Sequence, residues 1–208
     1  MPIRLNGSTS GYTELSAPAV AGNNSIALPT GNGSAYQILR NGATAGSLEY
    51  VDNLVLGTAQ NSTSGTAIDF TGIPSWVKRI TVMFNGVSTN GTSNYLVQIG
   101  AGSVTTSGYL SNCNYVNNSP NSSVGVASTQ GYVINSDTIA AGIYGGVATL
   151  STLGSNIWAI SGTLNKNSAA TGFFAGTITL SGTLDRVRIT TVNGTDTFDA
   201  GSINILYE

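Results

Sequence analysis

Apolar and polar residues alternate with a period of two through most of the chain, and turn-forming residues punctuate the alternation. In VKRITVMF this sets Ile80, Val82 and Phe84 on one face, and in DRVRITTV it sets Val187 and Ile189 against Arg186 and Arg188. SINILYE ends the chain with Ile203, Ile205 and Tyr207 on a common side. No window of eleven or more residues keeps a helical period, and the β-branched and aromatic content suits strands. The pattern predicts strands near 47–56, 66–70, 77–85, 94–99, 131–134, 138–144, 146–153, 157–164, 173–180, 185–192 and 202–208. Many short strands at this spacing predict an all-β fold, an antiparallel β-sandwich of jelly-roll kind. Asn-Gly tolerates the positive φ of a type I′ turn, so Asn41-Gly42, Asn85-Gly86, Asn90-Gly91 and Asn193-Gly194 are expected at hairpins.

The first 46 residues break the pattern, with sparse apolar positions, prolines and many glycines. They are too poor in apolar area for a core of their own. Order there is expected to come from the following domain, from copies of the same segment or from a larger assembly. The predicted organisation is an extended N-terminal attachment or shaft-like segment, 1–56, and a β-sandwich domain, 57–208.

Charge then changes the picture. Only 8 % of the 208 residues are charged, and Ile80 to Ser136 contains no Asp, Glu, Lys or Arg. Solubility must come from hydroxyls and amides. The net charge is −2 and the basic residues are scattered, so the stripe that nucleic-acid binding needs is absent. The apolar runs fall short of the roughly 20 residues that cross a bilayer, and the N-terminus shows no apolar stretch of a signal peptide. Neither membrane insertion nor secretion through a signal peptide is expected. A single cysteine, Cys113, leaves no intrachain disulfide to form.

Within the uncharged run, SGYLSNCNYVNNSPNSSVGVASTQGY spaces Tyr109, Tyr115 and Tyr132 among Asn112, Asn114 and serines, with little strand patterning. It reads as a long irregular loop, where recognition commonly sits. Tyrosine supplies rigid aromatic area and asparagine adaptable hydrogen bonding, the chemistry of paratopes and of surfaces that meet neutral sugars. Tyr109, Asn112, Asn114, Tyr115 and Tyr132 are therefore the candidate receptor-binding residues. The alternative is a loop that covers one end of the domain or packs against a neighbouring subunit. Trp76 invites the same two readings, an exposed stacking ring or a packed one, and the face of Trp158 is undecided by its neighbours.

The absence of histidine removes Ser-His-Asp and Cys-His catalysis and His-containing zinc sites. Cys113 has no charged neighbour in sequence to activate it, and no phosphate-binding glycine loop occurs. Nine carboxylates remain: Glu14, Glu49, Asp52, Asp69, Asp137, Asp185, Asp196, Asp199 and Glu208. Asp185, Asp196 and Asp199, at predicted strand ends, read as turn formers or partners of Arg186 and Arg188, and Asp69, before the FTGIP turn, as structural. Asp196 and Asp199 could join backbone carbonyls around calcium, without EF-hand spacing to support it. No catalytic residue, metal ligand or cofactor is expected.

Two stretches carry a resemblance. SGYTELSAPAVAGNNSIALPTGNGSAYQILRNGATAGSLEYV, residues 10–51, resembles segments that recur in bacteriophage tail-fibre and other virion-fibre proteins. There an A-P-A element and an L-P-x-x-x-G element lead into a G-x-L-x-[WY] hairpin. DFTGIPSWVKRITVMFNGVSTNGTSNYLVQIGAG, residues 69–102, together with the ending TFDAGSINILYE, is similar to the distal β-domain of such proteins. The resemblance implies a virion protein assembled in the host cytoplasm, a homotrimer that joins other virion proteins through its N-terminal segment. Its exposed domain would bind a host-surface glycan or protein. No long repeated shaft separates the two parts, which points to a short fibre or fibre tip and keeps a capsid decoration or cement protein open. A small glycan-cleaving tailspike is the third class, since glycoside hydrolysis needs only two suitably placed carboxylates.

Overall fold

The computed structural model describes every residue except 1, 2, 7, 17, 19, 21, 35, 36, 53, 119–122, 141 and 168. The chain divides into two units, Met1–Asn53 and Leu54–Glu208. In the first, β1 (Ile3–Asn6) pairs with β2 (Tyr12–Leu15), and β3 (Ile38–Asn41) pairs with β4 (Leu48–Val51), both antiparallel. The β1–β2 register puts Ile3 opposite Leu15 and Arg4 opposite Glu14, so apolar and charged residues take opposite faces. Arg4 contacts the Glu14 carboxylate at 2.7 Å and stands 4.5 Å from the Tyr12 ring centre. Both strands are exposed throughout, as expected of a two-stranded ribbon with too little apolar area to bury.

The second unit contains β5 (Val55–Leu56), β6 (Gln60–Asn61), β7 (Ala67–Thr71), β8 (Arg79–Thr89), β9 (Tyr95–Ala101), β10 (Ser103–Val104) and β11 (Leu110–Asn117). It continues with β12 (Ser123–Ser128), β13 (Tyr132–Val133), β14 (Tyr144–Gly154), β15 (Ile157–Lys166), β16 (Ala170–Thr179), β17 (Arg186–Thr191) and β18 (Phe198–Tyr207). A large, nine-stranded sheet runs β12-β11-β16-β15-β14-β8-β18-β5, with β6 also on β18. A small, five-stranded sheet runs β10-β9-β17-β7, with β13 on β9. Every strand pairing is antiparallel. Among the described residues there is no helix, and so none long and apolar enough to cross a membrane.

One apolar cluster joins the inner faces of both sheets. Ile80, Val82, Phe84, Leu150, Ile160, Leu164 and Phe174 of the large sheet share it with Tyr95, Val97, Ile99, Val187 and Ile189 of the small one. The alternation read along VKRITVMF, DRVRITTV and SINILYE is the one observed, with Ile203 and Ile205 buried and Tyr207 half-buried. Burial of these side chains fixes the registers, because a slip by one residue would turn each set to solvent.

The expected hairpin role of the Asn-Gly pairs needs correction. Asn41-Gly42 opens the β3–β4 connection, whose ends are tied by the Gly42 amide donating to Ser47 O at 2.8 Å. Asn85-Gly86 instead lies inside β8, at a bulge where Phe84 faces Gly146 and Val87 faces Tyr144. Gly86 takes φ +65° there, and a Cβ on Gly201, at φ +90° in the neighbouring strand, would strike the Gly86 carbonyl. The extra residue resets the alternation, so that Val87 and Thr89 are buried as Phe84 is. Asn90-Gly91 and Asn193-Gly194 lie in connections that pass from one sheet to the other. Glycine takes positive φ in two of the four pairs, at Gly86 and Gly194, and the asparagine amide ties the local chain in others; pairing partners are chosen elsewhere. Here Asn90 Oδ1 accepts from the Thr197 amide at 2.9 Å, and Asn193 Nδ2 donates to Asp196 at 2.6 Å.

Two strand assignments also change. The predicted strand 138–144 is irregular up to Tyr144, where β14 begins, with residue 141 outside the described set. The predicted strand 47–56 is two strands, β4 and β5, and residue 53 between them is likewise outside it.

Candidate functional site

Alternation leaves the large sheet with an outer face that carries almost no charge. Registers align its side chains in rows, one of which reads Ala127, Asn112, Ala175, Ser161, Thr149, Thr81 and Leu206 from β12 to β18. The next reads Gly125, Asn114, Phe173, Thr163, Val147, Met83 and Asn204. Neither row holds an ionisable group. Arg79, at the start of β8, is ion-paired with Glu208. Several apolar side chains stand exposed on the same face, among them Leu110, Val116, Val147 and Phe173.

A groove of about 730 Å³ opens in this face where small residues meet. Ala127, Ala159, Ala175 and Gly176 form much of its wall, and Leu110, Asn112, Ser128 and Thr177 border it. That volume lies in the range of small-molecule sites, and apolar walls with a few polar groups are their usual lining.

The small sheet presents a different exterior. Arg188 donates from Nε and Nη2 to the two oxygens of Asp69, both at 2.7 Å. Arg186 donates to Asp185 at 2.8 and 3.1 Å. The hydrogen bond from Arg186 holds the Asp185 carboxyl below the usual range, and the reciprocal bonds raise both guanidinium groups.

The proposed receptor-binding residues separate into two groups. Tyr109, Tyr115 and Tyr132 are 0 % exposed, which corrects the expectation of a tyrosine surface. The physical reason is that the segment is largely strand rather than loop: alternation along β11 turns Cys113 and Tyr115 inward, Tyr109 lies just before β11, and Tyr132 lies in β13, which pairs with β9 of the small sheet and is buried at both residues. Tyr109 Oη accepts from the Ile99 amide at 2.9 Å and donates to Thr105 O at 3.0 Å, and Tyr132 Oη donates to Trp158 O at 2.8 Å. Both hydroxyls thereby join one sheet to the other. The two rings meet edge to face with centres 4.9 Å apart, and Tyr115 meets Tyr144 in the same way at 6.3 Å. Burial pushes Tyr109 up to about 12 and raises Tyr115 and Tyr132 as well. Asn112 and Asn114 take the opposite face, Asn112 exposed on the groove and Asn114 half-buried beside it.

The exposed ring that the sequence reading missed is Phe173, 53 % exposed and paired across strands with Asn114. A signal for it existed. Phe173 and Phe174 are consecutive in a strand, which requires one ring on each face. Trp158 is buried, and Trp76 is half-buried with its ring centre 5.9 Å from that of Tyr207.

Most ionisable groups are engaged with one another. Glu14, Glu49, Asp69, Asp137, Asp185 and Glu208 each face a basic partner. Buried Lys166 donates to the Asp137 carboxylate and, at 2.9 Å, to Asp137 O. Asp196 accepts from the Ser93 amide at 2.9 Å and from Asn193, which anchors a turn. Among the described residues no group of three or more His, Cys, Asp or Glu side chains could hold a metal. Cys113 is 2 % exposed, and burial pushes its thiol up to about 12, which leaves it a poor nucleophile at neutral pH. Comparison with protein-family models, curated proteins and solved structures finds no match to this chain.

Proposed function

We propose that this chain is a non-enzymatic bacteriophage virion protein, a short fibre or fibre tip that binds a host-surface glycan or protein. The observation that carries the reading is the uncharged outer face of the large sheet, with a groove set among hydroxyl, amide and exposed apolar side chains. A rigid, neutral surface of this kind suits recognition of a partner that offers hydroxyls and C–H faces rather than charge. The two fibre-like sequence stretches supply the virion context. In this proposal the protein is assembled in the host cytoplasm as a homotrimer, residues 1–56 join other virion proteins, and a jelly-roll-like sandwich projects outward. Six of the nine carboxylates face a basic partner, which supports binding over hydrolysis by leaving few acids free for the two roles a glycosidase needs.

A second reading, a capsid decoration protein, is favoured by the exposed Leu110, Val116, Val147 and Phe173, which a neighbouring virion subunit would cover. Gold-labelled antibody on intact particles separates the two. Label at the tail tip, with purified protein competing for adsorption to bacterial cells, is the expected result. Label spread over the capsid, without competition, would reject the attachment reading.

A further inference from the structure

We infer that the groove beside Phe173 is a binding site for a neutral pyranose sugar, an inference that rests on the attachment reading and names its ligand. Three observations converge on β11 and β16. Phe173 offers an aromatic ring to solvent on a sheet face whose two central rows otherwise carry small, hydroxyl, amide and aliphatic side chains. Buried aromatic rings are the rule in this domain, so an exposed one in the middle of the sheet is unspent contact area. Two positions along β16, Ala175 lines the groove opposite Asn112, so ring, amide and cavity lie on one face within about 7 Å of one another along the strand. Asn114, the cross-strand neighbour of Phe173, has a side-chain oxygen shielded from solvent with no hydrogen-bond partner. A buried acceptor left unsatisfied is costly, and a ligand hydroxyl reaching it after a small turn of the amide would recover that cost.

The chemistry selects the ligand class. The C–H face of a pyranose packs on an aromatic ring, while its hydroxyls both donate and accept, matching Asn112, Asn114 and Thr177. The two rows of this face hold no ionisable side chain to neutralise a uronate, sialate or phosphate. An acidic sugar would be desolvated there without a counter-charge. A neutral sugar loses nothing by that.

The test uses the full-length protein and ligand-observed NMR with maltotriose, cellotriose, chitotriose and, as the acidic probe, trigalacturonate. Neutral probes are expected to bind and trigalacturonate is not. Phe173→Ala should weaken binding about ten-fold, the scale of one well-placed aromatic contact. Ala175→Trp, which fills the groove, should abolish it, and Thr71→Ala on the outer face of the small sheet should change nothing. Retained melting temperature shows that the variants fold. Failure of every neutral probe to bind, a preference for trigalacturonate, or equal binding by Phe173→Ala and Ala175→Trp would each overturn the site. Adsorption of labelled protein to bacterial strains separates this from the broader proposal. Adsorption that no neutral sugar inhibits would leave the attachment reading standing and assign it to a protein receptor, and absence of adsorption would remove both. If Phe173→Ala changes the oligomeric state, the face is covered by a second copy and the sugar site is rejected.

Discussion

The two faces of the large sheet are built from the same strands and share almost nothing in chemistry. Inward, Cys113, Tyr115, Phe174, Leu164 and Leu150 are packed and dry; outward, Asn112, Asn114, Phe173, Thr163 and Thr149 meet solvent. The difference teaches that aromatic residues in an uncharged stretch cannot be assigned to recognition by type alone. In β11 the tyrosine serves the core and the asparagines serve the surface. The small sheet adds a second contrast, since its exterior holds Arg186 and Arg188 in ion pairs where the large sheet is neutral.

The largest expected effect comes from alkaline pH, which acts on the inward face alone. Burial raises Tyr95, Tyr109, Tyr115, Tyr132 and Tyr144. Each is neutral when protonated, so the folded state keeps its proton at a pH where the unfolded chain, titrating near 10, has lost it. Their contribution is intact below pH 10 and is lost as the pH climbs toward the folded values. Tyr95, Tyr109, Tyr115 and Tyr132 together cost on the order of 5 kcal/mol at pH 11 relative to neutral pH, a large part of the stability of a domain, and Tyr144 adds in the same direction. Tyrosinate absorbance and circular dichroism should therefore change together in one cooperative step. Smooth titration of all tyrosines without unfolding would show that the inner face is wet.

Truncation sharpens the contrast residue by residue. Tyr132→Ala should cost about 3–5 kcal/mol in chemical denaturation, since it removes a packed ring and the bond to Trp158 O. Phe173→Ala should stay within about 0.5 kcal/mol, as expected of a surface position. Equal costs would mean that the outer face is buried in solution by another subunit.

Glycine at 172 tests how closely the inward face is packed. A Cβ there would overlap the Tyr115 ring, so Gly172→Ala should destabilise by about 1–3 kcal/mol although alanine suits a strand better. A neutral or stabilising result would show that Tyr115 has room to move.

The smallest effect belongs to the charged exterior. Arg188→Ala should cost at most about 1 kcal/mol at low ionic strength and less in high salt, because the pair with Asp69 is over a third exposed on both sides. A larger, salt-independent loss would place that pair in an interface.

The site was only half legible in the sequence. Asn112 and Asn114 lie on the outer face that their chemistry suits, whereas Tyr109, Tyr115 and Tyr132, with chemistry equally suited to recognition, lie in the core. The pattern that would have separated them is weak, because Asn and Ser interrupt it and Ser111 takes an inward position, its hydroxyl accepting from the Val133 amide at 2.9 Å. A buried serine that satisfies a backbone amide looks polar in sequence and behaves as core in the structure. Phe173 was hidden for the converse reason, an aromatic residue outside.

By itself the sequence determined the all-β class and the inward sets of β8, β17 and β18, because two-residue alternation is a local property that survives whatever partner a strand finds. It also determined the scarcity of charge on the outer face, which is composition. Only the tertiary structure decided that β11 and β12 pair, that Asn85-Gly86 is a bulge rather than a turn, and that Asn112 borders a groove with Asn114 and Phe173 in the next row of the same face. Those features depend on which strands pair and in what register, and pairing is set by the burial of side chains far apart in sequence.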